Sequence, residues 1–291
     1  MTYAEFEWLS SDGIRMFGCE WKPAEGRPVK AVIGIVHGMG EHTGRYRHMA
    51  DMFTSEGYAV LSFDQRGHGR SGGRRGDCPN YEALLEGVDF LFAEMKRRHP
   101  RTPAFLYAHS MGGNVTLNYL LRRKPKLCGA VVAGPWLKLA ASRPPVAILA
   151  RRIVERLAPG TTKLRYLIAE RSTSDPDMIR RNAEDPYRHG KVTARFFYLV
   201  QKAGLWALAH ARELSVPLLL LHGGDDRITS INASRLFAER ALHKCDFYEW
   251  PGFRHELHNE TGRQEVFGVV LHWLNGQLGD GGKQANDRWH E

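Results

Sequence analysis

The sequence lacks any apolar run that approaches the roughly 20 residues of a membrane-spanning helix. Its first residues, from Met1 to Glu7, have neither the basic start nor the apolar stretch of a secretory signal. Cysteine is scarce as well, with four residues in 291, no CxxC pair and no ligand spacing of the kind that binds zinc. These absences predict a cytoplasmic protein with reduced thiols and no metal.

Acidic residues are scarce in one stretch only. Between Trp136 and Arg212 there are 15 Lys and Arg against 6 Asp and Glu, so this stretch carries the whole net charge of +9. No zinc-finger, RNP or leucine-zipper pattern accompanies it, and nucleic acid is therefore not a predicted partner. Two interpretations remain open: a solvated basic helix face, or a peripheral contact with an anionic membrane. The oligomeric state is not predictable.

The composition, with 43% hydrophobic and 25% charged residues, is that of a globular chain long enough for one large α/β domain. Residues 3 to 9 and 14 to 21 alternate as an edge hairpin. The run from Ala31 to Val36 is continuously apolar, which is typical of a parallel strand buried on both faces. Similar runs at 58–63, 104–108, 129–133, 216–221 and 246–250 predict a mostly parallel sheet flanked by helices.

The sequence changes character after Gly134 and Pro135, because strand patterns stop for eighty residues. Helical periodicity at 144–157 and 192–211 flanks a turn-rich segment at 172–186. We interpret residues 136–212 as a helical cap inserted into a core formed by 1–135 and 213–278. Residues 279–291 are Gly-rich and polar and are predicted to form a flexible tail.

One segment, residues 104–120, indicates a specific chemistry. A buried strand runs directly into a helix, and the small residues Ala108, Gly112 and Gly113 allow the sharp turn that places Ser110 at its tip. A serine in this position is the nucleophile elbow of the α/β-hydrolases. The usual motif is G-x-S-x-G, and here Ala108 replaces its first glycine.

Two further residues complete the pattern of a Ser-His-Asp site. Asp226 and His255 each follow a predicted strand, and the chain order of nucleophile, acid and base is that of the α/β-hydrolases. Loops at the carboxyl ends of parallel strands converge on one crevice, so the three side chains are expected to meet. Asp225 is an alternative acid and His258 an alternative base, and the spacing favours Asp226 and His255.

A glycine-rich loop, His37 to Tyr46, follows the strand at Ala31 to Val36. In a serine hydrolase such a loop supplies one amide of the oxyanion hole and the residue after the nucleophile supplies the other, which assigns these amides to Met39 and Met111. Asp64 and Arg66, in the loop after the next strand, are expected to brace it through charged hydrogen bonds.

These motifs together resemble the monoacylglycerol lipase and lysophospholipase branch of the serine α/β-hydrolases. The H-G-x-G-E-H-x-G-R-Y run that begins at His37 is the most specific of them, and the resemblance spans nearly the whole chain. It implies that Ser110, Asp226 and His255 cleave a small-molecule acyl ester through an acyl-enzyme, without metal or organic cofactor. The residues expected to contact substrate are His37, Gly38, His109, Phe196, Phe197 and Trp206.

Two other functions fit the same motifs. A short-chain carboxylesterase or amidase, or an aminopeptidase-like hydrolase, would share the triad and the capped fold. A catalytically silent member acting as a ligand receptor or scaffold would share the fold alone. The intact serine, aspartate and histidine argue against the silent protein.

Overall fold

The computed structural model describes residues 1–141 and 172–279. Eight strands form one sheet in the order β1-β2-β4-β3-β5-β6-β7-β8. The strands are β1 (Thr2–Leu9), β2 (Arg15–Lys22), β3 (Ala31–Val36), β4 (Tyr58–Asp64), β5 (Ala104–His109), β6 (Gly129–Ala133), β7 (Leu218–Gly223) and β8 (Cys245–Trp250). The β1–β2 and β2–β4 pairs are antiparallel, and all pairs among β3 to β8 are parallel.

Helices cover both faces of this sheet. Those of the described residues are α1 (Arg47–Ser55), α2 (Glu82–Arg98), α3 (Ser110–Arg123), α4 (Pro176–Glu184), α5 (Ala194–His210), α6 (Ile231–Ala241) and α7 (Arg263–Gly279). Buried side chains of α1 and α7 pack on one face, and those of α2, α3, α5 and α6 contribute to the core on the other. This arrangement is the predicted α/β-hydrolase fold.

No helix in residues 1–141 or 172–279 is long and apolar enough to cross a membrane.

Helix α4 was not predicted, because the Asp-Pro dipeptides around it were interpreted as turns. Asp175 is in fact the N-cap of α4: its side chain accepts hydrogen bonds from the amides of Asp177 and Met178. Pro176 then occupies the first helical position, where its missing N–H costs nothing. The pattern that marks a turn also marks a helix start.

Helix α5 packs on α3 through buried amides. The Asn114 side-chain amide donates to the carbonyl oxygens of Trp136 at 2.7 Å and Val200 at 3.0 Å, and that of Asn118 donates to the carbonyl of Ala203 at 3.1 Å. Gly204 permits the close approach, since a Cβ there would lie 2.4 Å from the Leu137 carbonyl oxygen. The middle of α5 therefore lies beside the first half of α3 and the backbone of Trp136 and Leu137.

Several predictions fall outside the described residues. They are the helix at 144–157, its apolar residues Val146, Ile148, Leu149, Ile153 and Val154, its basic residues Arg151, Arg152 and Arg156, and the tail from residue 280. The closing helix α7 includes Gly279, which the sequence predicts as the first residue of the tail.

Candidate active site

Ser110 lies at the junction of β5 and α3. Its φ of +55° is a backbone conformation that residues other than glycine rarely adopt. The turn leaves no room for larger neighbours. A Cβ at Gly112 would lie 2.1 Å from the Val36 carbonyl oxygen, and one at Gly113 would lie 2.9 Å from a methyl carbon of Val132. The predicted elbow is present, and α3 begins at the serine itself.

The loops after β5, β7 and β8 bring three side chains into one chain of hydrogen bonds. Ser110 Oγ lies 2.8 Å from His255 Nε2, and His255 Nδ1 lies 2.7 Å from Asp226 Oδ2. Because a carboxylate only accepts, the Nδ1–H of the neutral ring donates to Asp226 and Nε2 is free to accept from the serine hydroxyl. The geometry suits proton transfer from Ser110 to His255.

Asp226 is held by several donors besides His255. Its Oδ1 accepts from the amides of Ile228 at 2.7 Å and Thr229 at 3.0 Å, and its Oδ2 accepts from the Thr229 hydroxyl at 2.6 Å. Burial acts to raise the pKa of Asp226, but the charge of His255 and the hydrogen bonds of His222 and His255 hold it well below its usual value. The carboxylate therefore stays ionised.

His222 is the second of these histidines. Its Nε2 lies 3.2 Å from Asp226 Oδ2 and its Nδ1 lies 2.8 Å from Ser234 Oγ, at the start of α6. The ring is fully buried. It therefore helps to fix the carboxylate oxygen that His255 contacts.

His255 carries the opposite pKa shift. Burial acts to lower the pKa of its imidazole, but the charge and hydrogen bond of Asp226, together with the charges of Glu256 and Glu41, raise it by more, so that the net shift is upward. An imidazole with a raised pKa is a stronger base for the Ser110 hydroxyl.

The structure separates both pairs of alternatives. Asp225 is exposed and its amide donates to the Phe253 carbonyl, so its carboxylate does not contact His255. His258 is buried three residues beyond His255, with its ring stacked on Tyr46 at 4.9 Å between centroids. Asp226 and His255 are therefore the pair that meets Ser110.

The glycine-rich loop after β3 lies against the serine. A Cβ at Gly38 would be 3.1 Å from Ser110 Cβ. The backbone that leads from Gly38 to the Met39 amide therefore lies next to the nucleophile. Glu41 fixes this bend by accepting from the Gly38 amide at 2.9 Å and from the Tyr46 hydroxyl at 2.7 Å. Met111 supplies one of the first amides of α3, which have no carbonyl partner within a helix.

The predicted bracing of this loop is correct for Asp64 and wrong for Arg66. Asp64 accepts from the amide of Thr43 at 2.7 Å and from that of Arg70 at 2.6 Å, which ties the two loops together. Arg66 instead pairs with Asp12 at 2.6 Å. Asp12 lies in the β1–β2 turn. No pattern in the sequence indicates that this turn packs on the loop that carries Arg66.

Two of the expected substrate contacts have other partners. His37 is fully buried; its Nδ1 donates to the Gly38 carbonyl at 2.7 Å and its Nε2 accepts from the Gln65 amide at 2.9 Å, so its ring supports the loop. His109 packs under the His255 ring at 4.6 Å, and burial is the main cause that lowers its pKa to about 4. Neither ring offers a free face to substrate.

The three aromatic residues of α5 have different surroundings. Phe197 packs on Trp136 at 5.1 Å, and the Trp136 amide donates to the Ser110 carbonyl, so Phe197 lies near the nucleophile. Phe196 is fully buried, with its ring 6.3 Å from that of His68.

Trp206, which the sequence predicts as a substrate contact, has partners away from Ser110. It stacks on His210 and under the Arg122 guanidinium, at the far end of α3. Arg122 lies twelve residues from Ser110, which is about 18 Å along a helix.

Sequence reasoning missed His189, Thr229 and the role of His222. The amide of His189 donates to the Gly40 carbonyl and its ring lies 2.9 Å from the Gly67 carbonyl oxygen, which anchors the segment after α4 to the oxyanion loop. Thr229 follows Asp226 by three residues, a spacing that suits a hydroxyl bond back to an aspartate.

The other chemistry-bearing residues have ordinary surroundings. All four cysteines are free, and burial raises the pKa of Cys78 to about 11. Within residues 1–141 and 172–279 no group of three or more His, Cys, Asp or Glu is arranged to hold a metal ion.

Comparison with known proteins gives the family. A family model described as serine aminopeptidase, S33, matches residues 27–262. The chain belongs to this family. It is 30% identical over 279 residues to a monoacylglycerol lipase of Mycolicibacterium smegmatis, covering 95% of this chain and 99% of that protein. It is 31% identical to the phospholipase YtpA of Bacillus subtilis over 85% of this chain and 95% of the relative.

A solved structure agrees with this assignment. The crystal structure of a Paleococcus ferrophilus monoacylglycerol lipase superposes with a TM-score of 0.79 at 26% identity, covering 90% of this chain and 99% of that one. The S33 family member described here is therefore a hydrolase with the α/β-hydrolase fold.

Proposed function

We propose that this S33 family hydrolase cleaves the acyl ester of monoacylglycerols or lysophospholipids, with Ser110 as nucleophile. The observation that carries this is the hydrogen-bonded chain from Ser110 through His255 to Asp226. The relatives named monoacylglycerol lipase and phospholipase support the choice of ester.

The reaction follows from the geometry. His255 accepts the Ser110 proton as the hydroxyl attacks the ester carbonyl, and the ionised Asp226 stabilises the imidazolium that forms. The amides of Met39 and Met111 receive the negative charge of the tetrahedral oxygen. His255 then protonates the leaving alcohol, which is glycerol for a monoacylglycerol and a glycerophosphate for a lysophospholipid, and water activated by the same ring releases the fatty acid.

The segment 136–212 is proposed as a cap over the acyl chain. Trp136 and Phe197 supply apolar surface beside Ser110, and α5 is held there by the Asn114 amide. An apolar wall on this side of the nucleophile favours long acyl chains over acetyl. The excess of basic residues in the segment supports peripheral contact with an anionic membrane.

A panel of esters tests this proposal. The expected result is faster cleavage of long-chain acylglycerols and lysophospholipids than of acetyl esters, single labelling by a fluorophosphonate, and loss of about 10⁴-fold or more in Ser110→Ala. Fastest cleavage of acetyl esters would leave a short-chain esterase. Faster cleavage of aminoacyl anilides than of any ester would favour the peptidase activity that the family description names.

A further inference from the structure

A polar groove of about 400 Å³ lies beside the oxyanion loop, between α1 and α4. Residues His42 and Arg45 form its wall on the loop side, and Asn259 borders it from the loop after β8. His42 is four residues from Gly38 and Asn259 is four residues from His255. The groove therefore adjoins both the loop that carries the Met39 amide and the loop that carries His255.

Buried polar atoms in this groove have no partner among the described residues. Asn182 is 3% exposed and its Oδ1 accepts from Arg45, but its Nδ2 is unpartnered. Asn259 is 1% exposed; its Nδ2 donates to Glu256, but its Oδ1 is unpartnered. An unpaired buried donor or acceptor is costly, so the groove favours an occupant that accepts at one point and donates at another.

The charge of the groove selects between such occupants. The Arg45 guanidinium is already paired with Glu256 at 2.8 Å, and Asp185 with His42 at 2.8 Å. Arg47 and Arg181 line the groove without an ion pair to any residue in the described ranges, against one remaining carboxylate, Asp51. Guanidinium groups match phosphate oxygens in geometry and charge.

We propose that this groove binds the glycerophosphate head group of a lysophospholipid, an inference that depends on the ester hydrolysis proposed above. The phosphate oxygens accept from Arg47, Arg181 and the Asn182 amide. The free glycerol hydroxyl donates to Asn259 Oδ1. A neutral monoacylglycerol would leave both arginines without a counter-charge, so the groove makes the enzyme selective for phosphate-bearing esters.

Two substrates that differ only in the phosphate test this selectivity: 1-acylglycerol 3-phosphate and the 1-acylglycerol of the same chain. The ratio of their kcat/KM values is expected to fall about tenfold in Arg47→Gln/Arg181→Gln, since a charge-assisted hydrogen bond is lost. Arg180→Gln is the matched control, because Arg180 lies on the same helix but pairs with Asp177 at 2.9 Å. An unchanged ratio in the double variant, or an equal fall in the control, would overturn the proposal.

Inhibition separates a head-group site from a general anion site. Glycerol 3-phosphate is expected to inhibit acylglycerol hydrolysis competitively, with an inhibition constant that rises about tenfold in the double variant. Inorganic phosphate that inhibits as strongly would assign the groove to free anions and overturn the head-group assignment.

Calorimetry measures binding at the groove without turnover, and so tests the groove assignment separately from the proposed hydrolysis. Ser110→Ala is expected to bind glycerol 3-phosphate, and the Arg47→Gln/Arg181→Gln changes in that background should weaken binding about tenfold. Absent binding overturns the groove assignment. Hydrolysis of neither ester by the wild type would contradict the proposed function alone, because calorimetry does not depend on turnover.

Discussion

Asp226 accepts hydrogen bonds from two histidine rings through one oxygen: its Oδ2 lies 2.7 Å from His255 Nδ1 and 3.2 Å from His222 Nε2. The Ser234 hydroxyl, 2.8 Å from His222 Nδ1, holds the outer ring in the tautomer that donates to the carboxylate. The hydrogen-bond chain thus extends beyond Asp226 to α6.

The first prediction concerns this outer histidine. His222→Leu removes a donor to a buried carboxylate, and we expect kcat to fall about tenfold with KM nearly unchanged. His222→Gln keeps an N–H donor of similar reach and should recover most of the activity. Equal losses in Leu and Gln variants would assign His222 to packing, because only a hydrogen-bonding role separates them.

The second prediction distinguishes the adjacent aspartates. Asp226→Asn should lose about 10⁴-fold in kcat, because an amide does not hold the His255 ring in the productive tautomer. Asp225→Asn should keep most of the activity, since Asp225 is exposed. Steady-state kinetics on one long-chain ester measures both, and the opposite ranking would make Asp225 the acid.

The third prediction is a pH dependence. Only neutral His255 accepts the Ser110 proton, and burial lowers the pKa of this ring by less than the neighbouring carboxylates, Asp226 foremost, raise it. Loss of kcat/KM on the acid side should therefore have its midpoint above the usual histidine value of about 6.5. Histidine NMR titration in Ser110→Ala should give the same midpoint, and adding Asp226→Asn should lower it. An identical midpoint in both proteins would contradict the role given to Asp226.

The sheet and the triad were predictable because buried parallel strands leave continuous apolar runs and their carboxyl ends share one edge. The predicted and observed bounds coincide for two strands, Ala31–Val36 and Gly129–Ala133. Asp226 and His255 were chosen by spacing from strands of this kind. The sheet topology places them in contact. This topology follows from the general rules of strand connection in parallel sheets and not from any pair of residues.

The contacts made across the fold were not predictable. Trp206 and Phe197 lie on one helix with similar sequence signals, yet only Phe197 approaches Ser110, because the Asn114 and Asn118 amides fix how α5 lies on α3. Arg66 was expected to brace the adjacent loop, but it pairs with Asp12, 54 residues away. Such choices depend on the packing of the whole chain, which periodicity does not encode.

The fourth prediction tests how α5 is held. Asn114→Leu would leave the Trp136 and Val200 carbonyls and the Tyr81 hydroxyl without this partner, and should lower the free energy of unfolding by about 3 kcal/mol. Urea unfolding measures it. Lys202→Ala, at an exposed position on α5, is the control and should change stability by less than about 0.5 kcal/mol. A loss in Asn114→Leu no larger than that of the control would mean that apolar packing alone holds α5.

The last prediction concerns the basic segment and membranes. Arg151, Arg152 and Arg156 belong to the stretch that carries the whole positive excess of the chain, and each cation near an anionic bilayer contributes about 1 kcal/mol of binding. We therefore expect cosedimentation with anionic vesicles at low salt, release at high salt because the attraction is screened, and no binding to neutral vesicles. Changing these three arginines to glutamine should weaken binding. Lys96, Lys124 and Lys126 are exposed residues outside the segment 136–212. Changing them to glutamine removes the same amount of charge and should not weaken binding. Equal weakening in both triple variants would indicate attraction by net charge alone. Absent binding at low salt would remove the membrane contact and leave the ester hydrolysis proposal intact, since the triad does not depend on it.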